Sequence, residues 1–447
     1  MSEKEIADKV RGVFSPYLAQ RWHRAANLWE RVSQRWQPTL QTLLPLGGHS
    51  DGNKITLYTH GDDAFGAKWD AIQKAKEKVW WSAYTVEPDR VGKRTVELLT
   101  QAKRRGCDVI LLYDSIGSRS VDNEFLAPLR KAGALLFWFL LLMPLRAACL
   151  EFGPSWRHGP FRNHQKLLIV DDHGYCGGMN VSEDYAGLKT FGKETFSDTH
   201  IKMEGPAVKD LETVFLNSLI ANQEHIPIEE IDRVEQIVER RPDLPPTPDG
   251  VFVQVLQSNI RRQRKDVQAA LRLALRSATD SCYLSSPYFL PPRNIKRAII
   301  RAARNGSDVR IITAGDSDIP FIRAAQQHIY SSFLKRGIKI YEMWDKKLHA
   351  KMASIDGIYS YVGSFNLDAW SSRNLEVNVT VLDPPLAHQL EDRFEELIAR
   401  SCKEVSLDEL EGRGLWEKNY HWLAYQFFTV TGPRVIDEDD DDDDDDD

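Results

Sequence analysis

Cysteine is scarce and scattered. Cys107, Cys149, Cys176, Cys282 and Cys402 include no C-x2-C pair, which argues against a zinc ribbon or a disulfide framework and favours a reducing compartment. No apolar run reaches the eighteen or more residues of a transmembrane helix. The nearest, residues 132–145, is broken by Gly133 and Pro144; it reads as a buried strand and then a loop, with the Leu140 to Leu145 portion apolar enough to dip into a bilayer surface. Met1 to Glu5 lack the basic start and apolar core of a secretory signal. Residues 9–36 do hold six Lys or Arg against one acid, Glu30, a faint trace of organelle import. Strong positive charge is missing too. The net charge is -7, and Asp437 to Asp447 supply eleven negative charges, which leaves the preceding body at about +4. That is weakly basic for a nucleic-acid groove, and the acidic run itself has the composition of a solvated tail.

Against these absences stands a repetition. His164-Gln165-Lys166, followed by Asp171, recurs as His349-Ala350-Lys351, followed by Asp356. Each copy leads into a small-residue turn with an asparagine, Gly177-Gly178-Met179-Asn180 and Gly363-Ser364-Phe365-Asn366. The apolar run around each H-x-K reads as a buried strand, whose period of two puts His and Lys on one face. Lysine offers a compact cation for phosphate oxygens, and histidine offers a nitrogen that serves as nucleophile or as general acid and base. Two such pairs meeting at one point suit phosphodiester chemistry.

These segments resemble the double HKD signature of the phospholipase D superfamily, and the resemblance spans roughly residues 53–400. Arg162-Asn163-His164-Gln165-Lys166, Gly177-Gly178-Met179-Asn180 and Ser286-Pro287-Tyr288-Phe289-Leu290-Pro291-Pro292 are most similar to bacterial-type cardiolipin synthases. Gln165 departs from the Arg common there. It lies between the two reactive residues and is expected to point away from them. The resemblance implies an α/β protein of two homologous α/β/α sandwich lobes with the active site at their interface.

The rest of the chain agrees with a duplication. Arg105-Gly106-Cys107-Asp108-Val109 and Asn305-Gly306-Ser307-Asp308-Val309 open matching apolar runs. Short strands alternate with helical stretches in both halves, which predicts a sheet with helices on both faces. From Asp108 to His164 is 56 positions and from Asp308 to His349 is 41. The first half therefore carries an insertion between Leu141 and Arg162, where Met143, Trp156 and Phe161 form either an acyl-chain wall or lid, or a peripheral ornament. The expected layout is an amphipathic, aromatic extension at 1–52, a first lobe at 53–221, an acidic proline-rich linker at 222–250 and a second lobe at 251–405. An aromatic segment at 406–436 and a disordered acidic tail at 437–447 complete it. In the extension Trp22, Trp29 and Trp36 recur every seven residues among arginines, which fits either an interfacial helix or a stripe packed on the body. The aromatics from Trp416 to Phe428 read as core or domain docking.

By resemblance, one imidazole attacks phosphorus and the other protonates the leaving oxygen, then activates the incoming hydroxyl. His164 is expected as nucleophile and His349 as general acid and base, with symmetry leaving the reverse assignment open. Lys166, Lys351, Asn180 and Asn366, with Ser364 nearby, are expected around the nonbridging oxygens. A carboxylate should orient each imidazole; the candidates are Asp198 and Glu376, 34 and 27 residues past their own histidines. Asp171 and Asp356 are expected to brace local structure. No cofactor or metal is expected, since the lysines supply the positive charge. The leading function is a phosphatidyltransferase that makes cardiolipin from phosphatidylglycerol or a related phospholipid. A hydrolase releasing phosphatidic acid, a nuclease and a noncatalytic lipid-binding scaffold compete with it, and nucleic acid is not an expected partner. The expected setting is a membrane surface, bound peripherally: the cytoplasmic membrane in a bacterium or the mitochondrial inner membrane in a eukaryote.

Overall fold

The computed structural model describes residues 36–139, 161–187, 189, 195–259 and 264–431. Trp22, Trp29, Met143, Trp156 and the acidic tail lie outside the described residues.

In the first half the strands are β1 (Gly48–Tyr58), β2 (Lys78–Ala83), β3 (Asp108–Asp114), β4 (Leu135–Phe139), β5 (Leu167–Val170), β6 (His173–Gly177), β7 (Phe196–Ser197) and β8 (His200–Glu204). The second half supplies β9 (Val251–Asn259), β10 (Arg264–Lys265), β11 (Ser281–Ser285), β12 (Asp308–Ala314), β13 (Lys339–Met343), β14 (Lys347–Leu348), β15 (Met352–Ile355), β16 (Tyr359–Gly363), β17 (Glu376–Leu382) and β18 (Cys402–Glu404). One large mixed sheet runs β18-β13-β12-β11-β15-β16-β17-β9-β1-β8-β6-β5-β2-β3-β4. Read outward from the central β9-β1 pair, the two arms repeat each other strand for strand, and β18 caps one edge. β1 and β9 pair antiparallel, with Gly48 opposite Val255. The duplication seen in the sequence is therefore a pseudo-twofold arrangement of one continuous sheet.

Alternation along the central strands distributes the core. On β9, Val253 and Val255 face one side with the helices Ala207–Ala221 and Pro384–Ser401, whereas Phe252 and Leu256 face the other with Asp266–Ser277. The first side is a single apolar cluster shared by both halves, so the halves are welded through their core as well as through backbone pairing. On the second side each half keeps its own cluster, under Gly61–Lys74 and Arg90–Arg104 in the first and Asp266–Ser277 and Arg293–Arg304 in the second.

Two segments differ from the expected layout. β1 opens at Gly48, so a boundary at residue 52 cuts a strand, and residues 36–46 already pack on the second half. There Trp36 is buried, stacks on Tyr359 at 5.7 Å and donates Nε1–H to Asp356 at 3.1 Å. This third member of the tryptophan series is core, because its indole finds both an aromatic neighbour and a carboxylate inside the fold. Within 222–250, Ile228–Arg240 is a helix that buries Ile231, Val234 and Val238. Burying three such side chains is worth several kcal/mol at about 1.5–3 kcal/mol each, enough to dock the segment. Its end is fixed by a buried ion cluster: Glu212 pairs with Lys78 at 2.6 Å and with Arg241.

Candidate active site

The residues expected to react stand in the extended segment entering β5 and β15, just ahead of the strands predicted to contain them. What positions them is pairing between halves. His164 N–H donates to Leu375 O at 3.0 Å, and Leu375 N–H donates to Arg162 O at 2.9 Å. The mirror-related contacts are His349 N–H to Ser197 O at 2.8 Å and the parallel β7-β14 pair. Each H-x-K segment is thus clipped to the stretch that carries the other half's carboxylate.

This clip corrects the expected carboxylate assignment. Asp198 and Glu376 do orient imidazoles, but crosswise. His164 Nδ1 lies 3.0 and 3.1 Å from the Glu376 oxygens, and His349 Nδ1 lies 2.7 Å from Asp198 Oδ2. Sequence distance pointed to the histidine of the same half; backbone pairing across the dyad brings the other one closer. Both imidazoles and both carboxylates are buried.

The lysines complete the cluster. Lys166 Nζ donates to His164 O at 2.7 Å and Lys351 Nζ to His349 O at 2.5 Å, a repeated internal contact that folds each side chain back toward its own histidine. Lys166 also lies over the Tyr84 ring at 4.9 Å. Burial pushes Lys166 well below the ordinary lysine range and Lys351 down to about 8. Burial likewise lowers His164 well below an ordinary imidazole, helped by Lys166, Lys351 and His349, and holds His349 at about 4. Glu376 moves the other way, because burial penalises its charge more than Lys166 and the Ser364 hydroxyl favour it. Four cationic or potentially cationic groups packed away from water form a site whose charge is relieved by an anion.

The remaining expected residues separate. Ser364 donates Oγ–H to Glu376 and accepts from Val377 N–H at 3.0 Å, so it holds the carboxylate rather than facing a phosphate. Asn180 accepts from Thr85 N–H at 3.3 Å and donates to the Tyr185 hydroxyl at 3.1 Å, whereas the buried Asn366 Oδ1 has no hydrogen-bond partner. Gln165 turns away and accepts from Ser218 Oγ at 2.6 Å. Phe161, from the end of the insertion, is buried in the shared core and lines no open wall.

Asp171 and Asp356 sit outside the cluster in left-handed turns, at φ 48° and 54°. Asp171 accepts from the N–H groups of Lys76, Glu77 and Lys78, and Asp356 from those of Thr279, Asp280 and Ser281. A carboxylate that ties down the entry to β2 or β11 compensates for the positive φ, which aspartate tolerates better than most residues.

Several neighbours had no individual signal in the sequence. Tyr84 meets the His164 ring edge-on at 4.8 Å, and Tyr185 meets the His349 ring at 5.2 Å. Tyr288 donates to Asp318 at 2.7 Å. Arg162 pairs with the buried Asp114 and keeps Nε and Nη1 without hydrogen-bond partners. Tyr84 and Tyr288 follow the equivalent strands β2 and β11, so aligning the two halves against each other is the step that finds them. Among the described residues no three His, Cys, Asp or Glu side chains converge as a metal site would require.

Comparison with known proteins places this geometry. Residues 271–398 match the family model described as cardiolipin synthase, PLD-like domain. The chain is 28% identical over 390 residues to cardiolipin synthase B of Salmonella typhi, covering 85% of this chain and 89% of that protein. It is 30% identical over 375 residues to a cardiolipin synthase of Listeria monocytogenes serotype 4b, covering 82% of this chain and 73% of that protein. The crystal structure of phosphatidylserine synthase from Haemophilus influenzae shares the fold, with a TM-score of 0.66 at 14% identity over 89% of this chain and 98% of that one. With a duplicated sheet, two H-x-K segments meeting across its dyad and these relatives, the chain belongs to the phospholipase D superfamily, among its cardiolipin synthase-like phosphatidyltransferases.

Proposed function

We propose that this protein makes cardiolipin, transferring a phosphatidyl group to the headgroup hydroxyl of phosphatidylglycerol through a phosphohistidine. One observation carries the reading: two buried imidazoles from opposite halves, each with Nδ1 on a carboxylate, share a cluster with two buried lysines. The carboxylate fixes the tautomer, so Nε2 is the nitrogen through which each ring reacts. The similarity to proteins named cardiolipin synthase supports the choice of acceptor.

His164 is the proposed nucleophile. Its depressed basicity keeps Nε2 unprotonated at neutral pH, ready to attack phosphorus while the bond to the departing alcohol breaks. His349 gives that alcohol its proton. Burial holds His349 at about 4, and the phosphodiester anion raises it by stabilising the imidazolium. Lys166, Lys351 and the free donors of Arg162 face the nonbridging oxygens as charge builds there. In the second step His349 takes the proton of the incoming hydroxyl, the new P–O bond forms, and the P–N bond to His164 breaks. The protein meets both lipids at a membrane surface, to which it binds peripherally.

Purified protein incubated with labelled phosphatidylglycerol in mixed micelles should yield diphosphatidylglycerol and one glycerol per turnover. Phosphatidic acid as the sole phosphorus-containing product would replace the transferase by a hydrolase.

A further inference from the structure

The helix Leu415–Thr431 is only half docked. His421, Ala424, Tyr425 and Phe428 face the body, with Ala424 packed on Ala324 and Ala325 and the Tyr425 ring 4.9 Å from His328. Trp416, Tyr420, Leu423, Phe427 and Val430 recur at spacings of four and three on the opposite side, and all are exposed, Trp416 at 90%. Over fourteen residues this is an apolar stripe about 21 Å long. Core docking, the expectation for this segment, accounts for one face and leaves the other exposed among the described residues.

The exposed face continues toward the site. The Tyr420 ring stands edge-on to that of the exposed Phe321, centroids 6.3 Å apart, and Phe321 ends the loop whose Asp318 accepts from Tyr288 and favours the charged form of Lys351. Leu290 and Phe428 both pack against the cluster of Ala324, Ala325 and Ala424, and Leu290 also pairs with Asp368, two residues past Asn366. Two residues later Pro292 caps the helix Arg293–Arg304, which has no acidic residue. Its Arg293, Arg297, Arg301 and Arg304 are exposed along one side, and its Lys296 lies over Phe333 of the helix on which the aromatic helix docks.

We propose that these two helices form the surface that seats the protein on an anionic lipid bilayer, with the histidine site opening beside the headgroups; this rests on the phospholipid reading given above. Tryptophan and tyrosine favour the boundary between hydrocarbon and water, since each has an apolar body and a polar tip. An adjacent row of arginines, on a helix with no acidic residue of its own, matches the negative charge of phosphatidylglycerol. A second protein would not require both features beside the site's entrance, whereas a substrate drawn from a bilayer does.

The test is cosedimentation of the full chain with vesicles of phosphatidylcholine alone or mixed equally with phosphatidylglycerol. The unaltered protein should prefer the mixed vesicles by at least about tenfold. A Trp416→Ser, Tyr420→Ser, Phe427→Ser variant should bind both at least about tenfold more weakly. An Arg293→Glu, Arg297→Glu, Arg301→Glu variant should lose the preference. Both should keep the melting temperature and the turnover of short-chain phosphatidylglycerol dissolved as monomers. His164→Ala should bind vesicles normally, so vesicle binding and the proposed reaction can fail separately. Undiminished binding by the aromatic variant overturns the proposal. So does a dimer that this variant dissociates while vesicle binding persists, or binding that depends on residues 1–35 and not on the stripe.

Discussion

The two halves put a histidine, a lysine and a carboxylate at equivalent places, yet the surroundings of the carboxylates differ. In the first half Gly178 faces Asp198, where an added Cβ would lie 2.2 Å from Oδ1. In the second half the equivalent residue is Ser364, whose hydroxyl donates to Glu376. The shorter aspartate stays near its own backbone, with Oδ1 accepting from Thr199 N–H at 2.7 Å, and leaves no room for a side chain opposite. The longer glutamate reaches farther, and a hydroxyl steadies it. Duplication set the positions of the groups, and one small residue in each turn then matched the carboxylate's length.

The largest expected effect tests whether the halves play different chemical roles. His164→Ala and His349→Ala should each lower turnover by at least about 1,000-fold. Reactions with labelled donor, quenched in denaturant at neutral to mildly alkaline pH because a P–N bond hydrolyses in acid, should show a phosphoenzyme in the His349 variant and none in the His164 variant; the opposite pattern would move the nucleophile to the second half.

The crossed pairing comes next. Glu376→Gln and Asp198→Asn should each cost roughly 100-fold in turnover, in the range of an orienting partner lost from a reactive histidine. Imidazole nitrogen resonances give the sharper readout. Glu376→Gln should perturb His164 Nδ1, and a response at His349 instead would mean that each half serves itself. Exchanging the turn residues should be unequal: Gly178→Ser forces a side chain into Asp198 and should approach the carboxylate variants, whereas Ser364→Gly removes one hydrogen bond and should cost only a few-fold.

Stability separates the motif aspartates from the reactive groups. Asp356→Asn should lower the melting temperature more than it lowers activity per folded molecule, by about 1–3 kcal/mol for weakened, half-buried acceptors. Retained stability with lost turnover would place Asp356 in the chemistry.

The smallest effect is one of pH. An unfolded imidazole titrates near 6.5, and His349 in the fold is held at about 4. Between those values the unfolded chain binds the additional proton, so His349's share of stability is intact above pH 6.5 and is lost as pH falls toward 4. Melting temperature followed from pH 7 to 4.5 should decline less steeply in His349→Gln; an identical slope would assign the acid sensitivity to other groups.

The duplication, the candidate reactive set and the superfamily were legible in the chain before it was folded. A repeated H-x-K with its glycine turn is a local pattern, and local patterns survive in one dimension. The expectation that Asp171 and Asp356 brace turns was legible for the same reason, since the strand's length keeps them away from the lysines. Which carboxylate lies against which histidine follows from the fold, because residues 164 and 376 meet through backbone pairing across a dyad that sequence separation cannot encode. The fold likewise makes Trp36 core and divides the helix after Leu415 into a docked and an exposed face. An aromatic stripe has the same spacing whether protein or water lies against it, and burial is a property of the neighbours that folding brings.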